Sequence, residues 1–142
     1  MIRFAIIFLL VISPGALASD DWADDLTALD PVPPQYPMRA LYLGVTAICR
    51  STFDVDEAGS STNLCVTCSL ANKHDHPDHL MSELNQQFVE ATSVAVAQWR
   101  YAEEHWNYRG SKSQFEFIMS GNTSSDLPPP PPERTCFGPR IS

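Results

Sequence analysis

The stretch TAICRSTFDVDEAGSSTNLCVTC, residues 46–68, alternates in the way a hairpin does. Ala47, Cys49, Ser51, Phe53 and Val55 take turns with Ile48, Arg50, Thr52 and Asp54, the period of two expected of a strand with one buried face. Asp56-Glu57-Ala58-Gly59 supplies the turn, and Leu64 and Val66 line one face of a return strand. The same turn offers Asp54, Asp56 and Gly59 at positions 1, 3 and 6 of a calcium loop. Ala58 and Cys65 stand where that cage needs its remaining carboxylates, so the reading is a turn and not a metal loop.

Outward from the hairpin, Leu80, Leu84, Phe88, Ala91, Ala95 and Trp99 recur at spacings of three and four, with Glu83, Gln87 and Gln98 off that stripe. This predicts an amphipathic helix from about Asp78 to about Trp99. Beyond a polar stretch, Gln114 to Met119 reads as a third strand with Phe115, Phe117 and Met119 on the buried face. The order β-β-α-β predicts an α+β, two-layer domain: a small antiparallel sheet packed against one helix.

The ends of the chain set its compartment. Met1-Ile2-Arg3, the apolar run Phe4–Ile12 and Ala16-Leu17-Ala18 have the form of a secretory signal peptide cut after Ala18. The run is short of the roughly 20 residues a membrane span requires, although an uncleaved inner-membrane anchor facing the periplasm is the alternative. The chain then divides into a signal at 1–18, an acidic leader at 19–33, a patterned domain at 34–121 and a proline-rich tail at 122–142, whose composition favours extended polyproline II. A net charge of −8 disfavours nucleic acid and anionic lipid as partners. In an exported chain Cys49, Cys65, Cys68 and Cys136 are expected to be oxidised. Of three possible connectivities, face parity favours Cys49 with Cys68, leaving Cys65 for Cys136; a bulge between the strands would change that parity.

Several stretches together carry a resemblance. PPQYPMRA before the first strand, FDVDEAG at the turn, the Phe88–Tyr101 pattern F-x-x-A-x-x-x-A-V-x-x-W-R-Y and the alternating last strand are similar to the C-terminal domain of TonB, over about residues 34–119. TonB proteins are energy transducers of Gram-negative bacteria. The resemblance implies a periplasmic domain that grips outer-membrane receptors, with a short receptor segment, the TonB box, adding as a strand beside the last strand. Carried onto this chain, it implies partner-binding positions at Gln35, Tyr36 and Pro37 and at Gln114, Glu116 and Ile118, with Phe88, Trp99 and Tyr101 structural. A family transducer also has an anchoring helix and a long linker. Here about 15 residues separate the apolar run from the domain, a reach of roughly 50 Å, so force transmission from a membrane motor is not expected.

CVTCSLANKHDHPDH, residues 65–79, contains metal-ligand types. In a regular strand the two thiols of Cys65 and Cys68 lie about 10 Å apart on opposite faces, too far for one tetrahedral ion. His74, His76 and His79, with Asp75 and Asp78, could hold zinc, copper or nickel and would make a periplasmic metal-handling protein. The favoured reading is a solvated loop with Asp75 or Asp78 as helix N-cap, with no cofactor. No nucleophile elbow or phosphate loop is present, so a binding module is expected rather than an enzyme. Its partner would be an outer-membrane receptor or another periplasmic protein, and edge strands also permit a homodimer.

Overall fold

The computed structural model describes residues 26–132; the expected signal peptide, Cys136 and the end of the tail lie outside them. The elements are α1 (Met38–Leu43), β1 (Thr46–Val55), β2 (Ser61–Ala71), α2 (Asp78–Ala97) and β3 (Ser111–Phe117). The three strands form one antiparallel sheet in the order β2-β1-β3, with α2 laid over β2 and β1. This is the α+β architecture that the alternation and the helical stripe predict, with α1 added in front.

The hairpin forms as its residues dictate. Gly59 closes the turn at φ 77°, and a Cβ there would stand 2.6 Å from the Tyr101 carbonyl oxygen, so both the left-handed backbone and the space exclude a side chain. Asp56 Oδ1 accepts from the N–H groups of Ala58 and Ser60, which is how a carboxylate in this position stabilises a turn rather than an ion. The β1–β2 register is regular from Thr46↔Ala71 to Thr52↔Cys65, then slips at Asp54↔Thr62. Asn63, at φ 51°, carries the extra residue of that bulge. Because the bulge falls on the turn side of both cysteines, their face parity survives. Cys49 and Cys68 are directly paired and joined by a disulfide, while Cys65 is buried on the opposite face and also disulfide-bonded.

One face of the sheet carries two apolar clusters. Ala47, Cys49, Cys68, Leu84, Phe88 and Phe117 meet Ala40 and Val45 in the first. Phe53, Val55, Val96, Trp99, Tyr101 and Ala28 form the second. Burying a side chain such as Phe53 or Phe88 contributes about 1.5–3 kcal/mol each, so this face supplies most of the driving force. The buried side of α2 runs through Leu84, Phe88, Thr92, Ala95 and Val96; Thr92 and Val96 are buried where the apolar spacing points to Ala91, which is half-buried. The helix stops two residues before Trp99, which closes the second cluster from just beyond its end. Neither Asp75 nor Asp78 caps it: Pro77 occupies the N-cap, and Asp78 lies in the first turn, where a carboxylate favours the helix dipole.

Two further parts complete the body. Residues 26–37 cross the helix side of the sheet in extended form: Leu29 N–H donates to the Arg100 carbonyl at 2.7 Å, and Trp99 Nε1–H donates to the Val32 carbonyl at 3.1 Å. They end at Pro37, which starts α1, and Gly44 in the left-handed region ends it. At the other end of the chain, residues 123–132 lie on the second face of the sheet. Thr46 Oγ1–H donates to the Asp126 carbonyl, Ser69 Oγ–H to that of Pro129, and Lys73 pairs with the Asp126 carboxylate. The Lys73 ammonium, together with the Thr123 N–H, holds the Asp126 carboxyl below the usual carboxylate range.

Candidate functional site: the outer edge of the third strand

β3 starts three residues before the alternation suggests and ends two residues earlier. Gly110, at φ 75°, turns the chain and donates its N–H to Asp54 Oδ1 at 2.9 Å, seating Ser111 opposite Phe53. Ser111 is buried, and the Ser51 and Ser113 hydroxyls bond each other across the β1–β3 pair. Small polar residues therefore extend the inward face ahead of Phe115 and Phe117, in a stretch the alternation leaves outside the strand.

Which backbone groups of β3 point outward follows from the disulfide pair. The Cα atoms of Cys49 and Cys68 are 4.1 Å apart, the close spacing of a pair that exchanges no backbone hydrogen bonds. The N–H and C=O of Cys49 therefore face β3, as do those of Ala47, Ser51 and Phe53. Two bonds at the end of the strand agree: Val55 N–H goes to Tyr108 on the β3 side, and Asp56 N–H goes to Ser60 on the β2 side. Along β3, Ser111, Ser113, Phe115 and Phe117 bond to β1, and the alternate residues turn their backbone groups away from it. β1 is the one strand that pairs with β3 among the described residues, and no backbone bond from outside the sheet reaches Gln114 or Glu116. These two residues offer four groups that an extended chain could pair with.

The side chains around that edge divide clearly. Glu116 is exposed, while Gln114 accepts a hydrogen bond through Oε1 from Arg50 Nε at 2.9 Å on the second face. Ile118 is half-buried and follows the end of β3. Tyr36 stands edge-on to Phe88 and Phe117, with ring centroids 5.7 and 5.6 Å away. Its hydroxyl donates to the Val45 carbonyl at 2.6 Å, and burial pushes its pKa up to about 12, so the phenol stays a donor. Tyr36 thus brings the Gln35–Pro37 segment to the Phe117 end of β3. Gln35 is exposed, and Pro37 serves as the N-cap of α1. Phe88, Trp99 and Tyr101 are all buried in the two clusters.

Of the three histidines, His74 and His76 stand ring edge to ring with centroids 5.9 Å apart, and His79 does not join them. The His74 ring packs over Gly44, His76 Nε2 bonds the Leu43 carbonyl at 3.1 Å, and His79 is exposed in the first turn of α2. Among the described residues no group of three or more His, Cys, Asp or Glu side chains is placed to hold a metal ion. Sequence reasoning missed a groove of about 570 Å³ between residues 32–38 and α2, where Ala91 and Ala95 lie beside the exposed Val32, Met38 and Val94. Its signal was legible in Val94, an apolar residue off the helical stripe with nothing in the pattern to cover it.

No family model matches the chain, and no curated protein does. Among solved structures it is similar to the TonB2 protein of Vibrio anguillarum at 22% identity, over 84% of this chain and 97% of that one, with a TM-score of 0.47. Among the described residues, no helix is long and apolar enough to cross a membrane.

Proposed function

We propose that this chain is a non-enzymatic, periplasmic, TonB-like binding module that takes an extended segment of an outer-membrane receptor as a fourth strand along β3. The observation that carries the reading is the open edge: outward backbone N–H and C=O groups at Gln114 and Glu116, on a strand that pairs with β1 alone among the described residues. A peptide laid there satisfies both sets of groups without disturbing the apolar clusters, and backbone bonding supplies most of the affinity. The Gln35–Pro37 segment that resembles the receptor-contact region of TonB is tied to the same strand through Tyr36 and Phe117. Glu116 and Gln35, both exposed, are the side chains positioned to select among peptides.

The test is peptide binding by Glu116→Pro and Glu116→Ala chains. Because the Glu116 N–H points away from β1, proline removes a donor from the edge without removing one from the β1–β3 ladder. Glu116→Pro should abolish binding of receptor N-terminal peptides at millimolar concentration while circular dichroism remains that of the parent. Glu116→Ala should bind nearly as well as the parent. Equal binding by parent and a folded Glu116→Pro chain contradicts strand addition. Mass spectrometry of exported protein checks the compartment: a mature chain beginning at Ser19 is expected, and Met1 retained in a membrane fraction favours an anchored transducer component.

A further inference from the structure

The proline run packs in a way a spacer would not. Of Pro128–Pro132, Pro128 and Pro131 are buried and Pro129, Pro130 and Pro132 are exposed. That is a period of three, the repeat of a polyproline II helix with one of its three faces against a surface. The surface beneath is the second face of the sheet. On that face Ile48 lies between Thr46 and Arg50 of β1, opposite Ser69 of β2, and is only 5% exposed. Around it stand donors. A polyproline helix has no N–H groups and offers only carbonyl acceptors, and the contacts match that chemistry at each step. Thr46 Oγ1–H reaches the Asp126 carbonyl at 3.0 Å, Ser69 Oγ–H the Pro129 carbonyl at 2.5 Å, and Arg50 Nη1–H the Pro131 carbonyl at 3.5 Å. Lys73 pairs with the Asp126 carboxylate at the end where the tail enters. The backbone groups of the strands point along the sheet and not out of its face, so side chains alone do the recognising.

We infer that the second face of the sheet is a polyproline-binding seat, occupied in cis by the chain's own tail, that accepts an acidic, proline-rich segment of a partner when the tail is displaced. The partner chemistry is an extended run with prolines three residues apart and a carboxylate two residues before the first of them, as in Asp126-Leu127-Pro128. The tethered tail competes at an effective concentration on the order of millimolar, so a partner must outbid it or act when it is withdrawn. This surface lies away from the outer backbone of β3, and the inference does not depend on strand addition there.

The experiment uses the full mature chain and a fluorescent synthetic peptide of residues 124–132, SSDLPPPPP, followed by anisotropy. In a Pro128→Asp, Pro131→Asp chain, whose own tail no longer fits, the peptide should bind at least tenfold more tightly than to the parent chain. Adding Ser69→Ala and Thr46→Ala to that variant should weaken binding again. No binding by the proline variant, with circular dichroism unchanged, overturns the inference and leaves the tail a fixed structural layer. A charge exchange keeps the question decidable if the proline variant does not fold. In a Lys73→Glu chain, a peptide with Lys in place of its Asp should bind more tightly than the unaltered peptide, and equal or reversed preference also overturns the inference.

Discussion

β2 and β3 both flank β1, yet their outer backbones are treated differently. β2 lies under α2, and Asn85 reaches from the helix to donate Nδ2–H to the Cys68 carbonyl, an outward group of that strand, at 2.9 Å. α2 packs mainly on β2 and β1 and meets β3 through Phe88 against Phe117. The apolar residues of β3, Phe115 and Phe117, are otherwise covered by Trp99, Tyr36 and the extended segment that joins them. That segment contains Pro33, Pro34 and Pro37, which have no N–H to offer an edge carbonyl. A helix with a mid-length amide side chain can close an edge. A proline-rich strap covers the face of a strand and leaves its edge available, which is the condition strand addition requires.

The largest expected effect breaks the contrast from the β2 side. The Cys49–Cys68 disulfide closes a loop between residues 19 apart in sequence, and a chain-entropy treatment assigns such a cross-link about 3 kcal/mol. A Cys49→Ser, Cys68→Ser chain should unfold at clearly lower urea concentration, with unfolding followed by circular dichroism, and β2 should become the looser flank. Next is Asn85→Ala, which strips the Cys68 carbonyl of its partner. A loss of about 1 kcal/mol is expected because an outward carbonyl can turn to water. If the edges differ for the reason given, this variant should also self-associate more than the parent in sedimentation.

Tyr36→Phe probes the strap over β3. Losing the hydroxyl that bonds Val45 should cost about 1 kcal/mol near neutral pH. The sign of its pH dependence is definite: the phenol is neutral and half-buried in the fold, and desolvation raises its pKa to about 12 from 10.0, so the folded chain holds that proton longer than the unfolded one. Its contribution is complete below pH 10 and falls away as pH rises towards 12. Tyr36→Phe should decline less steeply than the parent over that window in thermal melts. Smallest is Arg39→Ala. The Arg39–Glu83 pair is more than half exposed on both sides, so its removal should change stability by well under about 1 kcal/mol and leave peptide binding untouched.

Much of the fold was legible because its elements are strongly periodic. The alternation from Ala47 to Val55 places β1, and the Leu84–Phe88–Ala95 stripe places α2. The Cys49–Cys68 bridge was legible too, since the register slip among the described residues falls at Asn63, where it leaves the parity of Cys65 and Cys68 intact. α1 escaped notice because six residues are too few to show a period, although Pro37 and Gly44 bracket it. The start of β3 was hidden by Ser111 and Ser113, buried residues that look like loop. The seat of the proline run was hidden for a different reason. Its recognition is between a tail and a sheet face more than fifty residues apart in sequence, and no local pattern in either announces the other. At the candidate site, Glu116 was found on the exposed edge, whereas Tyr36 turned out to be an anchor whose hydroxyl is already engaged.

Amide hydrogen exchange, residue by residue, tests the central claim most directly. With a receptor N-terminal peptide at saturating concentration, the N–H groups of Gln114 and Glu116 should exchange at least about tenfold more slowly than in the free chain, while those of Val66, Cys68 and Leu70 on the far edge stay unchanged. Slowing confined to the β2 residues, or peptide binding that leaves Gln114 and Glu116 exchanging as before, would contradict strand addition at β3.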